Sequence, residues 1–243
     1  MGAFFERHRL RMINRDFTRL DASVVSDFEG IPTTIVADVA GRRGALDARL
    51  KTMTPGMAAV GTAFTVELRS GDNLMIHAAL MLAQPGDILV VDGKADTSSA
   101  LMGELMCAHA AVTGIRAVVI DGAVRDTAAL RQGSLPVFAV GSNPNGPTRT
   151  QGGRIGMPVS VGGVCVSPGD LIVCDDDGVV AVSREEAAAL LEAAHTKIAA
   201  EARRLTDIQE GRVLYGWLEG ALKSAGELPP DRSITQLMDG FGR

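Results

Sequence analysis

Aromatic side chains are scarce: they make up 4% of the 243 residues, with a single Trp and a single Tyr. The core must therefore be filled mostly by Val, Leu, Ile, Ala and Met. Cysteine is rare too. Cys107, Cys165 and Cys174 form no CxxC and cannot all pair with one another, which argues against a disulfide framework. All three are expected as buried small hydrophobes in a reduced, cytoplasmic protein. An excess of basic charge is lacking as well. The formal net charge is −5, and Lys and Arg are dispersed rather than gathered in a stripe, so no nucleic-acid partner is expected. The denser basic groups (Arg7, Arg9 and Arg11; Arg203 and Arg204) read as solvated helix faces. No stretch approaches about 18 uncharged apolar residues, so no membrane partner is expected either. The opening Met1 to Met12 carries charges where a secretory signal has its apolar centre. What the chain does have is glycine, 28 residues of it, which predicts many tight turns and close backbone approaches. With 46% hydrophobic and 22% charged residues the composition is globular, and the length allows one large domain or two small ones.

Along the chain, strand and helix signals alternate. Residues 1–30 read as one or two charged helices, and Pro32 opens a helical segment to about Val39. Gly61–Leu68 reads as a strand. Asn73–Leu82 reads as a helix with Asp72 as its cap. Ile88–Val91 is an apolar strand, and a helix is predicted from about Ala100 to Val112, ended by Gly114. Ala117–Asp121 is a buried strand, Thr127–Gln132 a short helix and Val137–Val140 a further strand. Pro85-Gly86-Asp87-Ile88-Leu89-Val90-Val91-Asp92 is echoed by Pro168-Gly169-Asp170-Leu171-Ile172-Val173-Cys174-Asp175, suggesting two similar sheet edges in one α/β domain. From Ser183 the pattern changes to an Ala-, Leu-, Glu- and Arg-rich helix to about Glu210, then a second helix over Val213–Ser224. The organisation expected is an α/β catalytic domain with N-terminal helices over residues 1–182. A C-terminal helical arm over 183–243 would pack on a neighbouring subunit.

Two clusters could carry chemistry. Asp121-Gly122-Ala123-Val124-Arg125-Asp126 follows a buried strand, where ligands bind in α/β folds. Arg125 offers a fixed cation for an anion, and Asp126 a hard oxygen for a divalent metal. The plainer alternative is a surface ion pair, with Asp126 capping the next helix. Gly103-Glu104-Leu105-Met106 lies near a helix start, whose free N–H groups suit a carboxylate; the plainer role for Glu104 is to complement the helix dipole. His77 and His109 read as satisfied structural histidines. Lys94 lacks the desolvated setting of a Schiff-base lysine. Asp175-Asp176-Asp177 reads as an acidic turn, and Arg42 and Arg43 are candidates for a distal substrate carboxylate.

Twenty residues separate Glu104 from Arg125-Asp126. This acid–X20–Arg–Asp spacing resembles the signature of the class II pyruvate aldolases acting on 4-hydroxy-4-methyl-2-oxoglutarate and 4-carboxy-4-hydroxy-2-oxoadipate. Their superfamily also holds the regulator of ribonuclease activity A. Asp72-Asn73-Leu74-Met75-Ile76-His77, the two Pro-Gly-Asp turns and Asp175-Asp176-Asp177-Gly178-Val179 extend the resemblance from about residue 25 to 220. It implies a layered α/β/β/α sandwich of the swivelling phosphohistidine-domain type, assembled as a trimer or a dimer of trimers. It implies metal-dependent retro-aldol cleavage of a 4-hydroxy-2-oxo acid to pyruvate, with oxaloacetate decarboxylation as a side activity. In these terms Asp126 would ligate Mg²⁺ or Mn²⁺, and Arg125 would hold the keto oxygen and stabilise the enolate. The N–H groups of Leu105 and Met106, beside Gly103, would bind the substrate carboxylate. Glu104 would hold a water acting as acid and base, and Glu201, from a neighbouring subunit, would complete the site. The aldolases resemble Gly-Asp-Leu-Leu where this chain has Gly-Glu-Leu-Met, a longer acid that bears on substrate identity. The alternative implied by the same superfamily is a non-catalytic, protein-binding regulator.

Overall fold

A computed structural model describes residues 12–239, with side chains to residue 236. Met1–Arg11, which hold Arg7, Arg9, Arg11 and most of the charged opening, lie outside the described residues. By its contacts the chain divides into two units, one up to Lys197 and the other from Ile198.

The first unit is built on a mixed sheet whose order is β1-β5-β4-β3-β2-β9-β10. Its strands are β1 (Lys51–Thr52), β2 (Ala59–Glu67), β3 (Asp87–Met102), β4 (Ala117–Val124), β5 (Val137–Ser142), β9 (Leu171–Asp175) and β10 (Gly178–Val182). β6 (Arg154–Ile155) pairs with the end of β2, and β7 (Val159–Val161) and β8 (Val164–Val166) form a separate hairpin. β2, β3, β4 and β5 run parallel, whereas β9 is antiparallel to β2. These strands are near-continuous apolar runs because both faces are covered. Leu89 and Val91 join Val118 and Ile120 in a core under α3 (Leu74–Leu82) and α4 (Glu104–Val112). Ile88 and Val90, one residue out of phase, join Ala117, Val119 and Phe138 in a second core that includes Val159, Val161 and Val166 of the hairpin. The two-residue period of a strand thus sends alternate side chains into two separate cores. α1 (Ala22–Asp27) and α2 (Thr33–Val39) precede the sheet, and α5 (Thr127–Leu130) links β4 to β5. Asp175 anchors the start of α2, accepting from the N–H and hydroxyl of Thr33 at 2.9 and 2.6 Å.

The echoed turns are one device used twice. Gly86 and Gly169 have φ of 95° and 96°. Asp87 accepts from the Gln84 N–H at 2.7 Å, and Asp170 accepts from the Ser167 N–H at 2.8 Å. The strands they feed flank β2 rather than forming edges. Three helix boundaries also differ from the sequence expectation. Ala100–Met102 belong to β3, not to the helix, because Ala100 and Met102 pair with Ala123 and Val124 of β4 and are buried; strand pairing overrides their helix propensity. α5 stops at Leu130 rather than Gln132. In the second unit α7 is Leu218–Ser224, not Val213–Ser224. There Arg204 donates to the carbonyls of Arg212 and Val213 and stacks 4.1 Å over Tyr215, holding that stretch out of helix. α6 (Arg184–Gln209) crosses the division between the units, and α8 is Ile234–Asp239. Cys107 and Cys174 are buried, but Cys165 is exposed, on the outward position of β8. No described helix is long and apolar enough to cross a membrane.

Candidate active site

The spacing of the acid and the Arg-Asp pair becomes geometry through strand register. Met102, the last residue of β3, pairs with Val124, the last of β4, and the Arg125 N–H donates to the Met102 carbonyl at 2.9 Å. Both chains then leave the sheet side by side, so Gly103 and Arg125-Asp126 meet at the carboxyl ends of parallel strands.

Gly103 is extended, with φ −152° and ψ −166°. Its lack of a side chain is the important property: a Cβ there would stand 2.4 Å from Asp126 Oδ2 and 2.9 Å from Arg125 Cγ. Asp126 is left-handed at φ 59° and ψ 35°, a conformation that Asp tolerates better than most residues. It sits at the cap position of α5 but makes no side-chain cap bond to that helix. Its Oδ2 instead accepts from the Glu104 N–H at 3.1 Å and lies 3.6 Å from Arg125 Nε. The capping role considered for Asp126 is therefore not the one it plays. The carboxylate is turned across to the first turn of α4. The next two N–H groups of that turn, those of Leu105 and Met106, have no acceptor among the described residues.

These groups line one cleft of about 400 Å³, shared with Asn73, His77, Leu101, Pro147 and Arg149. Asn73 is buried, and its Nδ2 donates to the Leu101 carbonyl at 2.8 Å. Asn73 Oδ1 and His77 Nε2 are both buried without a hydrogen-bond partner, so His77 is not the satisfied structural histidine expected of it. Burial, then the charges of Arg149 and His109, hold the His77 imidazole below its usual range, favouring the neutral form. His109 is exposed on α4. Cys107 lies beneath the site. Burial, with a smaller contribution from the Asp126 charge, pushes its thiol up to about 12 and leaves it inert as a nucleophile.

The donor set suits one class of metal ion. Asp126 is 42% exposed at the side chain, and its Oδ1 has no partner among the described residues. No group of three or more His, Cys, Asp or Glu gathers among the described residues. One carboxylate with open space fits a hard cation that keeps most of its water, as Mg²⁺ does, and not a zinc site closed by four protein ligands.

Other candidates lie elsewhere. Arg43 pairs with Glu186 and donates to the Ala40 carbonyl, and neither Arg42 nor Arg43 lines the cleft. Among the described residues, the cation that lines the cleft without an ion pair is Arg149. Its loop carries no sequence pattern, and only the folded contacts reveal it. Lys94 is bound to Asp92 and Glu67 at 2.7 and 2.9 Å. Burial alone would lower its ammonium pKa, but the two carboxylates outweigh burial and raise it. Asp175 and Asp176 are engaged by Thr33 and by the Gly56 N–H. Glu201 is exposed on α6 and belongs to the second unit.

Comparison with known proteins agrees with this architecture. A protein of Halalkalibacterium halodurans named "Putative 4-hydroxy-4-methyl-2-oxoglutarate aldolase" is 35% identical over 187 residues, covering 77% of this chain and 89% of the relative. Among solved structures, an uncharacterized protein from Pseudomonas syringae pv. tomato superposes with a TM-score of 0.72 at 26% identity, covering 80% of this chain and 96% of the other. Streptomyces coelicolor RraAS2, described as an unusual member of the RNase ES inhibitor RraA protein family, gives 0.69 at 26% identity, covering 77% and 98%. The family described as RraA-like, Aldolase/RraA, matches residues 22–181, and the chain belongs to it.

Proposed function

We propose that the protein is a divalent-metal-dependent lyase that cleaves a 4-hydroxy-2-oxo acid to pyruvate, with oxaloacetate decarboxylation as a side reaction. The observation that carries this reading is the placement of Asp126: left-handed, turned away from its own helix, and set beside Arg125 and the uncovered N–H groups of α4. The relative's name points the same way. The fold alone does not choose, since an RNase inhibitor family shares it. The regulator alternative needs no such cleft.

In this reading the N–H groups of Leu105 and Met106 receive the substrate's C1 carboxylate, as helix N-termini receive anions. Asp126 would hold Mg²⁺ or Mn²⁺, which supplies Lewis-acid polarisation of the keto group when bound. Retro-aldol cleavage removes the 4-hydroxyl proton and breaks the C3–C4 bond. The electron pair passes into the enolate of pyruvate, whose C3 then takes a proton. Arg125 faces the oxygen where negative charge grows, and a preorganised cation is most effective there. Glu104, at the mouth of the cleft, orders the water that takes and returns these protons. Decarboxylation of oxaloacetate gives the same enolate, so one site serves both reactions. The α/β/β/α sandwich, the trimeric or hexameric assembly and the contribution of Glu201 from a neighbouring subunit belong to this reading as well.

The test is pyruvate release from oxaloacetate and from 4-hydroxy-4-methyl-2-oxoglutarate, with Mg²⁺ or Mn²⁺ and again with EDTA. Metal-dependent release is expected from both. Release from neither would overturn this substrate assignment and raise the regulator to at least equal footing.

A further inference from the structure

We propose that Arg149 is a specificity-determining residue of this cleft, reading a second carboxylate at the far end of the substrate, with Asn73 and His77 as the polar wall beside it. The proposal rests on the lyase reading for its substrate but on separate observations for its residues.

The first observation is how Arg149 is held. Asp72, buried at the turn before α3, accepts at one oxygen from the Thr148 hydroxyl at 2.7 Å, the Thr150 N–H at 2.7 Å and the Gln151 N–H at 3.0 Å. The Asn73 N–H donates to the Thr148 carbonyl at 3.0 Å, and the Thr148 N–H to the Gly71 carbonyl at 2.8 Å. The backbone is thus fixed on both sides of Arg149, while its guanidinium has no hydrogen bond or ion pair among the described residues. Arg125, the other cation of the cleft, has Asp126 beside it. An anion entering the cleft meets Arg149 as the unmatched charge.

The second observation is the pair of orphaned atoms. Asn73 is 2% exposed, and the bond from its Nδ2 to Leu101 fixes the amide so that Oδ1 remains an acceptor without a donor. His77 follows four residues later on α3, on the same helix face, and its Nε2 is likewise buried and unpartnered. Buried polar atoms without partners are costly, and structural packing alone does not recover that cost. A substrate with a hydroxyl beside a carboxylate would satisfy all three groups. The hydroxyl lies against Asn73 Oδ1 and donates to it until its proton is withdrawn, neutral His77 donates from Nε2 to the carboxylate, and Arg149 takes the carboxylate through two N–H groups. A methyl group in place of the carboxylate would leave Arg149 and His77 Nε2 unsatisfied.

The experiment compares matched five-carbon acids. The cleavable pair is 4-hydroxy-2-oxoglutarate and 4-hydroxy-2-oxopentanoate, and the non-cleavable pair, for calorimetric binding, is 2-oxoglutarate and 2-oxopentanoate. The wild type is expected to favour the dicarboxylate in each pair by about tenfold to a hundredfold, the range of a charge-assisted pair. Arg149→Met should reduce that preference to near unity, acting on KM more than on kcat, and Arg149→Lys should keep part of it. A wild type without preference, or an Arg149→Met variant that keeps it, overturns the proposal even if pyruvate is released. Arg149-dependent binding of 2-oxoglutarate without turnover of any hydroxy acid would instead uphold the subsite and defeat the lyase reading.

Discussion

Gly103→Ala is the most economical probe of the site, because its backbone tolerates the change and its surroundings do not. At φ −152° and ψ −166° the residue is extended, a conformation alanine adopts freely. The added methyl would, however, stand 2.4 Å from Asp126 Oδ2. Ordinary contact requires roughly 3.4 Å, so the carboxylate must retreat by about 1 Å. Asp126 is 42% exposed and free to rotate, so relief is available, but only by giving up the bond from the Glu104 N–H. Overpacking of this kind costs roughly 1–3 kcal/mol, and an exposed, rotatable neighbour puts it near 1. That corresponds to a fall in Tm of about 2–4 °C for a chain of this size. Catalysis should suffer far more. A misplacement of about 1 Å costs on the order of 100-fold in rate, close to 2.7 kcal/mol of transition-state stabilisation. The assay is metal-dependent pyruvate release from oxaloacetate, set beside a thermal melt of the same preparation. Wild-type kcat/KM in Gly103→Ala would refute the placement of Asp126 at the reacting centre. A collapse of Tm by more than about 10 °C would show that activity was lost through the fold rather than through the site.

Four further outcomes follow from the same contacts. Asp126→Asn, which keeps the residue's tolerance of left-handed backbone while removing the charge, should fold normally and lose metal-dependent turnover; unchanged activity would remove Asp126 from the site. Arg125→Lys should retain substrate binding better than turnover, because a point charge replaces a planar fork, and steady-state kinetics with separate binding measurements will show the split. Burial raises the Asp72 carboxyl pKa, but bonds from Leu74, Thr150, Thr148 and Gln151 outweigh burial and hold it below the ordinary value. Its stabilisation is therefore present at neutral pH and lost as pH falls below about 4. Asp72→Asn should cost roughly 2–3 kcal/mol in urea unfolding at pH 7, with the gap to wild type narrowing towards pH 3. Borohydride added during turnover should trap nothing on Lys94, whose ammonium Asp92 and Glu67 hold charged; a reduced adduct there would point to Schiff-base chemistry instead.

How much of this was legible in the sequence depends on whether a feature is set by near neighbours in the chain or by partners far along it. The strands were legible because burial on both faces writes them as unbroken apolar runs, as in Ile88–Val91 and Ala117–Ile120. The acid–X20–Arg–Asp spacing was legible because it is a register statement: one crossover helix and one strand separate the ends of β3 and β4. Ala100–Met102 misled because their helix-forming composition says nothing of the strand they pair with. The left-handed Asp126 was invisible for a related reason. Its carboxylate is received by the Glu104 N–H, 22 positions back in the chain.

Arg149 is the extreme case. Nothing within several residues of it marks it as a site, and the buried carboxylate that fixes its neighbours is Asp72, whose sequence signal was only that of a helix cap. Asp72 does serve the helix, accepting from the Leu74 N–H at 2.9 Å through Oδ1. Its other oxygen holds the loop. One residue thereby joins the turn that presents Asn73 to the loop that presents Arg149, so the two should loosen together. If so, Asp72→Asn will weaken the preference for a second carboxylate as well as the fold, even at temperatures well below its melt. Arg149→Met should lose the preference and keep the melt. A variant of Asp72 that loses stability yet keeps full discrimination would show that the loop holds Arg149 without it.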